Sequence, residues 1–416
     1  MRYNILGLTA AGELTYGKVS TMEVYLDNSA TTKVTDITKD IMMKVLYEDY
    51  GNPSSLHRLG VKAEQYMKEA ASTIANCLKV EPKEIIFTSG GTESNNLALI
   101  GTAMANKRRG NHIITTRIEH PSVHQTLVYL EDNGFEISFA PVDDTGKLMK
   151  AKLFDMIKEN TIIVSIMYVN NEIGSVQDIA ELASELKSRK KDIIIHVDAV
   201  QAFGKYRIYP KREGIDLLTI SGHKIHGPKG SGALYINDKV KINPVVFGGG
   251  HQRGLRSGTE NVPAIAGLGQ AVSEIYTDFE QKVTLMYELK QYFLREISKL
   301  EGVSFNGLPK ECTEAFEMEQ IRKTAPHIMS VSFQGIRSEV LLHSLEEKGV
   351  YVSAGSACSS HHPAPSVTLT AIGLPKDLMD STLRFSMSDM TTKEEIQYTL
   401  EQMKEIMPLL RRYTRK

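Results

Sequence analysis

Between about residue 38 and residue 280, short apolar runs alternate with longer amphipathic segments. In VKAEQYMKEAASTIANCLKV the apolar residues recur at the spacing of one helix face, at Ala63, Tyr66, Met67, Ala70, Ile74, Cys77 and Leu78. EIIFTSGG is typical of a strand that ends in a glycine turn, and TESNNLALIGTAMANKR predicts the next helix. Further strands are predicted at NHIITTR, EISFAPV, TIIVSIMYV, DIIIHVDA, DLLTIS and GALYIN. Ile and Val runs separated by helices indicate a mostly parallel sheet buried on both faces, which is an α/β fold.

The pattern changes towards the C-terminus. One long amphipathic segment covers about 264–300, followed by strands at HIMSVSF and TLRFSMS and helices at SEVLLHSLEEKG and KEEIQYTLEQMKEIMPLL. We therefore expect a large domain over 38–280 and a smaller α+β domain built from 22–37 and 281–416. The polar stretch 309–324 is predicted to be an exposed insertion. Residues 1–21 lack a strong period and are predicted to be an appendage or tag, with an ordinary first strand as the alternative.

Composition narrows the class of protein. A chain of 416 residues is too long for one compact core, and its 41% apolar and 24% charged residues are ordinary for a globular protein. A net charge of −1 argues against direct binding to nucleic acid. The apolar runs are too short to span a bilayer, and the N-terminus is a poor signal peptide. Cys77, Cys312 and Cys358 are widely separated, which excludes a disulfide framework and fits the cytoplasm.

Polar residues gather at the predicted strand ends, where open α/β sheets bind their ligands. In SGGTESNN, Gly90 and Gly91 permit a close turn, and Thr92 is predicted to cap the next helix. The free N–H groups of that helix start suit a phosphate, although a plain strand–helix turn explains the motif equally well. No GKS or GKT follows, so the turn is not a Walker A loop.

The segment IIIHVDAVQ ends a strongly apolar strand on Asp198. An unpaired carboxylate is costly there, so we expect a cation to face it. That cation is either an Arg or Lys side chain or the protonated ring nitrogen of a cofactor. Gln201, three residues later, points to the same place.

In SGHKIHGPKG, Lys224 follows the strand DLLTIS, and Ser221 and His223 are donors for a phosphate. A desolvated lysine amine forms a Schiff base with an aldehyde. An anion site, a buried Asp and a strand-end Lys together meet the requirements of pyridoxal 5'-phosphate. His226 receives no role from the sequence.

The segment VSAGSACSSHHPAPS places Cys358 among small residues, so its thiol is predicted to be accessible and reactive. An unremarkable surface thiol is the alternative. Cys77 is predicted to belong to the core and Cys312 to an inert surface. A metal at His361 and His362 is disfavoured, because no second Cys/His cluster accompanies them.

Together these segments resemble the cysteine desulfurases of the NifS/IscS type, pyridoxal-phosphate enzymes of the aminotransferase class V family. The resemblance covers about 24–407 and rests on these pieces: YLDNSATT, GNPSSLH, FTSGGTESNN, EHPSV, VNNEIG, HVDAVQ, SGHKIHGPKG, GGGHQRGLRSGTEN, SAGSACSS and LRFS. It implies a fold type I transferase with a large domain, built on a seven-stranded sheet, and a smaller α+β domain. It also implies that L-cysteine is converted to L-alanine, leaving a persulfide on the enzyme.

The resemblance assigns roles by position. Lys224 holds the cofactor and moves protons, His120 stacks on its ring, and Cys358 attacks the substrate sulfur. Cofactor contacts are implied for Gly91, Thr92, His120, Asn171, Asp198, Gln201, Ser221, His223, Lys224 and Thr259. Thr259 would reach the phosphate in a partner subunit, which implies a homodimer. Substrate contacts are implied for Arg384, Asn28, Arg256 and Asn171.

The resemblance also implies a sulfur-acceptor protein, either an iron–sulfur scaffold or a tRNA-thiolation enzyme, with Cys358 as a candidate transient iron–sulfur ligand. A selenocysteine lyase, another class V transferase and a docking scaffold remain alternatives. The chain departs from the common pattern in three places. HHPAP replaces a Ser/Leu/Glu-type continuation, SMSDMTT replaces an SxGRxTT-like ending, and 309–324 is longer than typical.

Overall fold

The secondary structure comes from a computed structural model that describes residues 3–8, 14–18, 22–354 and 365–414. The strands are β1 Tyr3–Leu8, β2 Leu14–Lys18, β3 Val24–Tyr25, β4 Ile85–Thr88, β5 His112–Thr116, β6 Glu136–Ala140, β7 Thr161–Met167, β8 Ile194–Asp198, β9 Leu217–Ser221, β10 Gly232–Ile236, β11 Val303–Asn306, β12 Ile328–Phe333, β13 Val350–Tyr351, β14 Ser353–Ala354 and β15 Thr382–Ser386. The helices are α1 Asp36–Tyr47, α2 Arg58–Leu78, α3 Gly91–Asn96, α4 Thr102–Asn106, α5 Pro121–Asp132, α6 Lys150–Asp155, α7 Ile179–Arg189, α8 Pro210–Glu213, α9 Val262–Tyr276, α10 Phe279–Ile297, α11 Lys310–Ala315, α12 Met318–Ile321, α13 Ser338–Glu346, α14 Val367–Ala371, α15 Lys376–Met379 and α16 Lys393–Thr414.

Seven strands form the central sheet in the order β4-β10-β9-β8-β7-β5-β6. The pairs from β9 to β6 are parallel, whereas β10 runs antiparallel to both β4 and β9. Every residue of β7, β8 and β9 is buried, as expected for a sheet covered on both faces. The predicted α/β fold with a mostly parallel seven-stranded sheet is confirmed.

Helices cover both faces of this sheet. On one face α2, α7 and α9 contribute Ile74, Leu182 and Leu268 to a large apolar cluster. On the other face, Leu97 and the α5 residues Val123 and Leu127 pack against the sheet. The carboxyl ends of the parallel strands are left open between these layers, which is where a ligand site is expected.

A second sheet, β11-β12-β15-β14, is antiparallel and packs against α10, α13 and α16. Its apolar cluster includes Cys312, Phe316 and Ile321, all buried. The stretch 309–324 lies between β11 and β12 and half of its residues are exposed, as predicted, but the surface assignment of Cys312 is wrong. The few apolar side chains with which α11 and α12 pack against the core are surrounded by polar residues in the sequence. Cys77 is half-buried against the core of the large sheet.

Two local predictions also differ from the structure. The segment predicted as one amphipathic stretch over 264–300 forms two helices, because the chain breaks at Asp278 with a φ of 51°. The helix after β4 begins at Gly91 with Gly90 as its N-cap, so Thr92 lies inside the helix and does not cap it. A π-helical turn, Leu97–Gly101, joins α3 to α4.

At the N-terminus, β1 and β2 pair with each other as an antiparallel two-stranded sheet, and β3 pairs with β13 in parallel. The domain boundaries at residues 21, 38 and 281 stay predictions. In the part of the chain that the structure describes, no helix combines the length and apolar character needed to cross a membrane.

Candidate active site

A cavity of about 640 Å³ opens at the carboxyl ends of β7, β8 and β9. The strand ends supply Met167, Asp198 and Ser221 to its wall, as the convergence rule for parallel strands predicts. Ten predicted site residues line it: Gly91, Thr92, His120, Asn171, Asp198, Gln201, Ser221, His223, Lys224 and Arg384. Segments far apart in the chain thus meet in one place.

Lys224 ends a 3-10 turn, Gly222–Lys224, directly after β9. Its Nζ donates to the backbone carbonyls of Ser29 and Ala30, the latter at 2.7 Å. Behind it, Lys205 Nζ donates to the backbone carbonyl of Lys224 at 2.7 Å. The amine is therefore held at the cavity wall by the YLDNSATT segment.

Asp198 is 4% exposed, and neighbouring donors compensate its burial. Oδ2 accepts from Asn95 Nδ2 at 2.8 Å, and Oδ1 accepts from Val200 N at 3.0 Å. Asn95 also donates to Ser122 Oγ at 2.9 Å. These donors hold the carboxylate in one orientation towards the cavity. The sequence analysis missed Asn95, although it lies in the quoted TESNN segment.

His120 is the N-cap of α5 and sits on the cavity wall. Its Nδ1 accepts from the backbone N of Ser122 at 3.1 Å, so a neutral ring carries its proton on Nε2. Burial lowers the pKa of His120; Asp198 acts in the opposite sense, and Lys224 adds to the lowering. The ring is thus neutral near pH 7 and is able to accept or donate a proton.

The start of α3 forms a cradle beside Ser221. A Cβ on Gly91 would lie 2.8 Å from a methyl carbon of Val200, so this turn admits only glycine without a shift. Ser221 Oγ is buried and has no hydrogen-bond partner among the described residues. Burial, with a contribution from Lys224, lowers the pKa of His223 to about 4. Neutral donors and helix N–H groups at this end fit a phosphate.

Arg384 projects from β15 at the opposite wall. Its Nη2 lies 2.8 Å from Asp27 Oδ1, and Nη1 donates to the carbonyl of Asn171 at 2.9 Å. Nε is buried and has no partner among the described residues. The guanidinium is oriented, and its Nε–H has no partner among the described residues, so it is a donor suited to a carboxylate. Asp27 was also missed by the sequence analysis.

Three predicted residues do not line the cavity, and a fourth is not among the described residues. Asn28 Nδ2 donates to two backbone carbonyls instead of lining the cavity, and Arg256 pairs with Glu93 at 2.7 Å. Thr259 is exposed. Cys358 lies outside the described residues, as do His361 and His362, but Ser353, five residues before it, lines the cavity.

The chemistry of the wall matches pyridoxal 5'-phosphate in three respects. The unpartnered Ser221 Oγ and the glycine cradle suit its phosphate, Asp198 suits a protonated ring nitrogen, and the Lys224 amine suits its aldehyde. Neighbouring groups of the chain orient both Asp198 and Lys224. The residues therefore fit the cofactor.

Comparison with known proteins agrees with this fit. The family Aminotransferase class-V matches residues 24–399. The cysteine desulfurase IscS of Methanosarcina thermophila is 41% identical, over 93% of both chains, and that of Dictyoglomus turgidum is 40% identical, over 94% of this chain and 95% of its own. A solved NifS-like protein has a TM-score of 0.85 and 35% identity, covering 94% of this chain and 100% of that one. SspA in complex with cysteine has a TM-score of 0.75 and 32% identity, covering 89% and 100%. The chain belongs to the aminotransferase class V family, among its cysteine desulfurases.

Proposed function

We propose that the protein is a pyridoxal-phosphate-dependent cysteine desulfurase that converts L-cysteine to L-alanine and transfers the sulfur through Cys358. One observation carries the proposal. Lys224, Asp198, His120 and Arg384 line a single cavity, and its wall also contains Ser353, which precedes Cys358 by five residues in the sequence.

The cofactor is held by residues at three places. Of the residues that line the cavity, Gly91, Thr92, Ser221 and His223 would bind the phosphate, Asp198 would pair with the ring nitrogen, and Lys224 would supply the amine for covalent attachment. Gln201 and Asn171, which also line the cavity, would lie near the phenolic oxygen. When bound, pyridoxal phosphate supplies an electron-withdrawing ring that accepts the charge developing at the substrate α-carbon.

Substrate selection rests on Arg384. L-Cysteine carries a carboxylate, and Arg384 Nε is a buried donor without a partner in the described chain. Asp27 and the carbonyl of Asn171 fix the other guanidinium nitrogens. The carboxylate of L-cysteine is therefore bound at Arg384, which directs its amino group towards Lys224.

Lys224 and His120 transfer the protons. The carbonyls of Ser29 and Ala30 hold the Lys224 amine at the wall, where it removes a proton from the substrate α-carbon and returns it during turnover. His120 is kept neutral by burial and carries its proton on Nε2, so it serves as a second proton donor.

Sulfur transfer needs a thiolate close to the substrate sulfur. The Cys358 thiolate attacks that sulfur, an S–S bond forms, the C–S bond breaks, and the electron pair stays with the substrate carbon, which is protonated to give alanine. From Ser353, a chain of five residues reaches about 17 Å when fully extended.

We also propose that the protein works as a homodimer and delivers sulfur to an iron–sulfur scaffold or a tRNA-thiolation enzyme. Large apolar side chains are strongly exposed near α1, with Tyr47 at 83% and Leu56 at 98%. A second copy of the chain would cover them. Thr259, exposed and outside the cavity, then contacts the phosphate bound by the partner.

The test is to add L-cysteine to the purified, cofactor-loaded protein and to follow alanine, sulfide and the absorbance near ~400 nm of the bound cofactor. We expect equal amounts of alanine and transferred sulfur. Lys224→Ala should lose the absorbance of the covalently attached cofactor. Cys358→Ser should keep that absorbance but form no persulfide, whereas Cys77→Ser should behave as wild type. A wild-type protein that makes no alanine would disprove the proposed function.

A further inference from the structure

Behind the cavity lies a buried group of charged side chains without a role in the chemistry above. His226 and Asp389 approach to 3.0 Å, Nε2 to Oδ1, with side chains only 6% and 9% exposed. Lys282 Nζ lies 3.3 Å from the other carboxylate oxygen. Lys205, 5% exposed, also acts electrostatically on Asp389. We call these four residues the Asp389 cluster.

Both ring nitrogens of His226 lie close to an oxygen. Nδ1 lies 2.7 Å from the backbone carbonyl of Lys33, which only accepts hydrogen bonds. Nε2 faces Asp389. Burial raises the pKa of Asp389, but His226, Lys205 and Lys282 outweigh it and lower that pKa to about 2, so the carboxylate is ionised. The His226 ring is thus fixed between the backbone carbonyl of Lys33 on one side and the Asp389 carboxylate on the other.

His226 is tied to the turn that carries Lys224. Its φ of 63° lies in the left-handed region, which is rare for a residue with a side chain. Its backbone N donates to Thr32 Oγ1 at 2.7 Å, and the N–H of Thr32 donates to the carbonyl of His223 at 2.8 Å. The pair with Asp389 holds this strained residue two positions after the catalytic lysine.

Lys205 connects the cluster to Lys224 itself. Its Nζ donates to the Lys224 carbonyl at 2.7 Å. Burial lowers the pKa of Lys205 to about 8, and Asp389 opposes that lowering. The carboxylate therefore helps Lys205 to remain a cationic donor to the lysine turn.

On its other side, Asp389 is connected through the chain to the strand that carries Arg384. It follows β15 by three residues, and β15 carries Arg384. The cluster thus joins the turn that holds the amine to the strand that binds the carboxylate. SMSDMTT, which contains Asp389, is also where this chain departs from the SxGRxTT-like ending.

We propose that Asp389 and His226 are positioning residues that lock the Lys224 turn to the Arg384 strand and thereby set the distance between the amino and carboxylate ends of the bound amino acid. The inference rests on the proposed function. It adds two residues that touch neither cofactor nor substrate.

The test measures binding of L-alanine, which spans the same two ends but has no sulfur to transfer. Cofactor-loaded wild type, Asp389→Asn, His226→Gln and the double variant are titrated with L-alanine, followed by cofactor absorbance. We expect each single variant to raise the dissociation constant about fivefold and the double variant to raise it no further, because the two residues act as one unit. Asp389→Glu should restore most of the affinity.

Asp216→Asn is the matched control. It breaks a partly buried ion pair, Asp216 with Lys187 at 3.0 Å, at the opposite end of β9. It should lower thermal stability and leave L-alanine affinity unchanged, which separates positioning from general destabilisation. Wild-type affinity in both single variants, additive effects in the double variant, or no L-alanine binding by wild type would overturn the inference. If L-alanine binds as expected but L-cysteine yields no alanine, the proposed function fails and the positioning role stands.

Discussion

Asp27 holds Arg384 by one edge of its guanidinium, with Oδ1 2.8 Å from Nη2. The Arg384 side chain is 8% exposed, so little water competes for the pair. Nη1 donates to the carbonyl of Asn171. Nε has no partner among the described residues, and in the proposed function it donates to a substrate oxygen. In the proposed function, Asp27 therefore orients the arginine that binds the substrate carboxylate.

Replacing Asp27 by Asn keeps the size of this side chain and removes its charge. We expect KM for L-cysteine to rise about tenfold with a smaller change in kcat, since a charge-assisted hydrogen bond contributes about 1.5–3 kcal/mol. Steady-state kinetics of alanine formation separate the two constants. Glu131→Gln, on the exposed surface of α5, is the control. An unchanged KM in Asp27→Asn would contradict the orienting role.

Asn95 supports the carboxylate of Asp198 in a similar way. Asn95→Ala removes the donor 2.8 Å from Asp198, and we expect the dissociation constant for pyridoxal phosphate to rise about tenfold. Titration of cofactor-free protein, followed by absorbance, measures it. The neighbouring variant Asn96→Ala loses only a bond to the carbonyl of Thr92 and should bind normally. Equal affinities in the two variants would count against Asn95.

Glu119 makes the stability of the protein depend on pH. Burial raises its pKa to about 8, although Thr116 donates to it, whereas an unfolded chain ionises this group near its usual pKa of 4.5. Between these values the folded state binds the extra proton, so the free energy of unfolding falls by up to about 1.4 kcal/mol for each pH unit of increase.

Glu119→Gln should flatten this dependence, because the amide stays neutral in both states. Urea unfolding at intervals from pH 5 to pH 8 gives the measurement. We expect the variant to gain stability relative to wild type as the pH rises. Parallel stability curves for wild type and variant would show that Glu119 is ionised in the folded protein.

The proposed homodimer predicts a further effect at Leu56, which is 98% exposed. Leu56→Asp places a charge where a second copy would exclude water, and we expect the molar mass in solution to shift towards that of the monomer. Light scattering after size-exclusion chromatography gives the mass. Val340→Asp, on the exposed side of α13, should leave it unchanged. A monomeric wild type would refute the dimer directly.

The local pattern of apolar and polar residues was sufficient to predict the central sheet. Most of its strands are rich in apolar residues, and parallel strand ends converge, so Asp198 and Ser221 were predictable as neighbours. The same argument does not reach Asp27 or Asn95, because their partners are 357 and 103 residues away and belong to other elements. Nothing in the local sequence of either residue specifies such a contact.

The sequence also did not allow the prediction of side chains that are buried without a periodic apolar pattern around them. Between residues 309 and 324, charged residues outnumber apolar ones, yet a few side chains of two short helices enter the core. No role could be predicted for His226 from the sequence, because its partner Asp389 is distant in the chain and follows β15. Such tertiary contacts override a polar local pattern.

The stretch from Leu26 to Lys33 touches nearly every part of the site. Asp27 holds Arg384, the carbonyls of Ser29 and Ala30 receive Lys224, and Thr32 holds the turn at His223. Most of these contacts come from backbone atoms, so side-chain substitutions there would be tolerated better than changes in length. Deleting or inserting one residue would move all the contacts out of register at once.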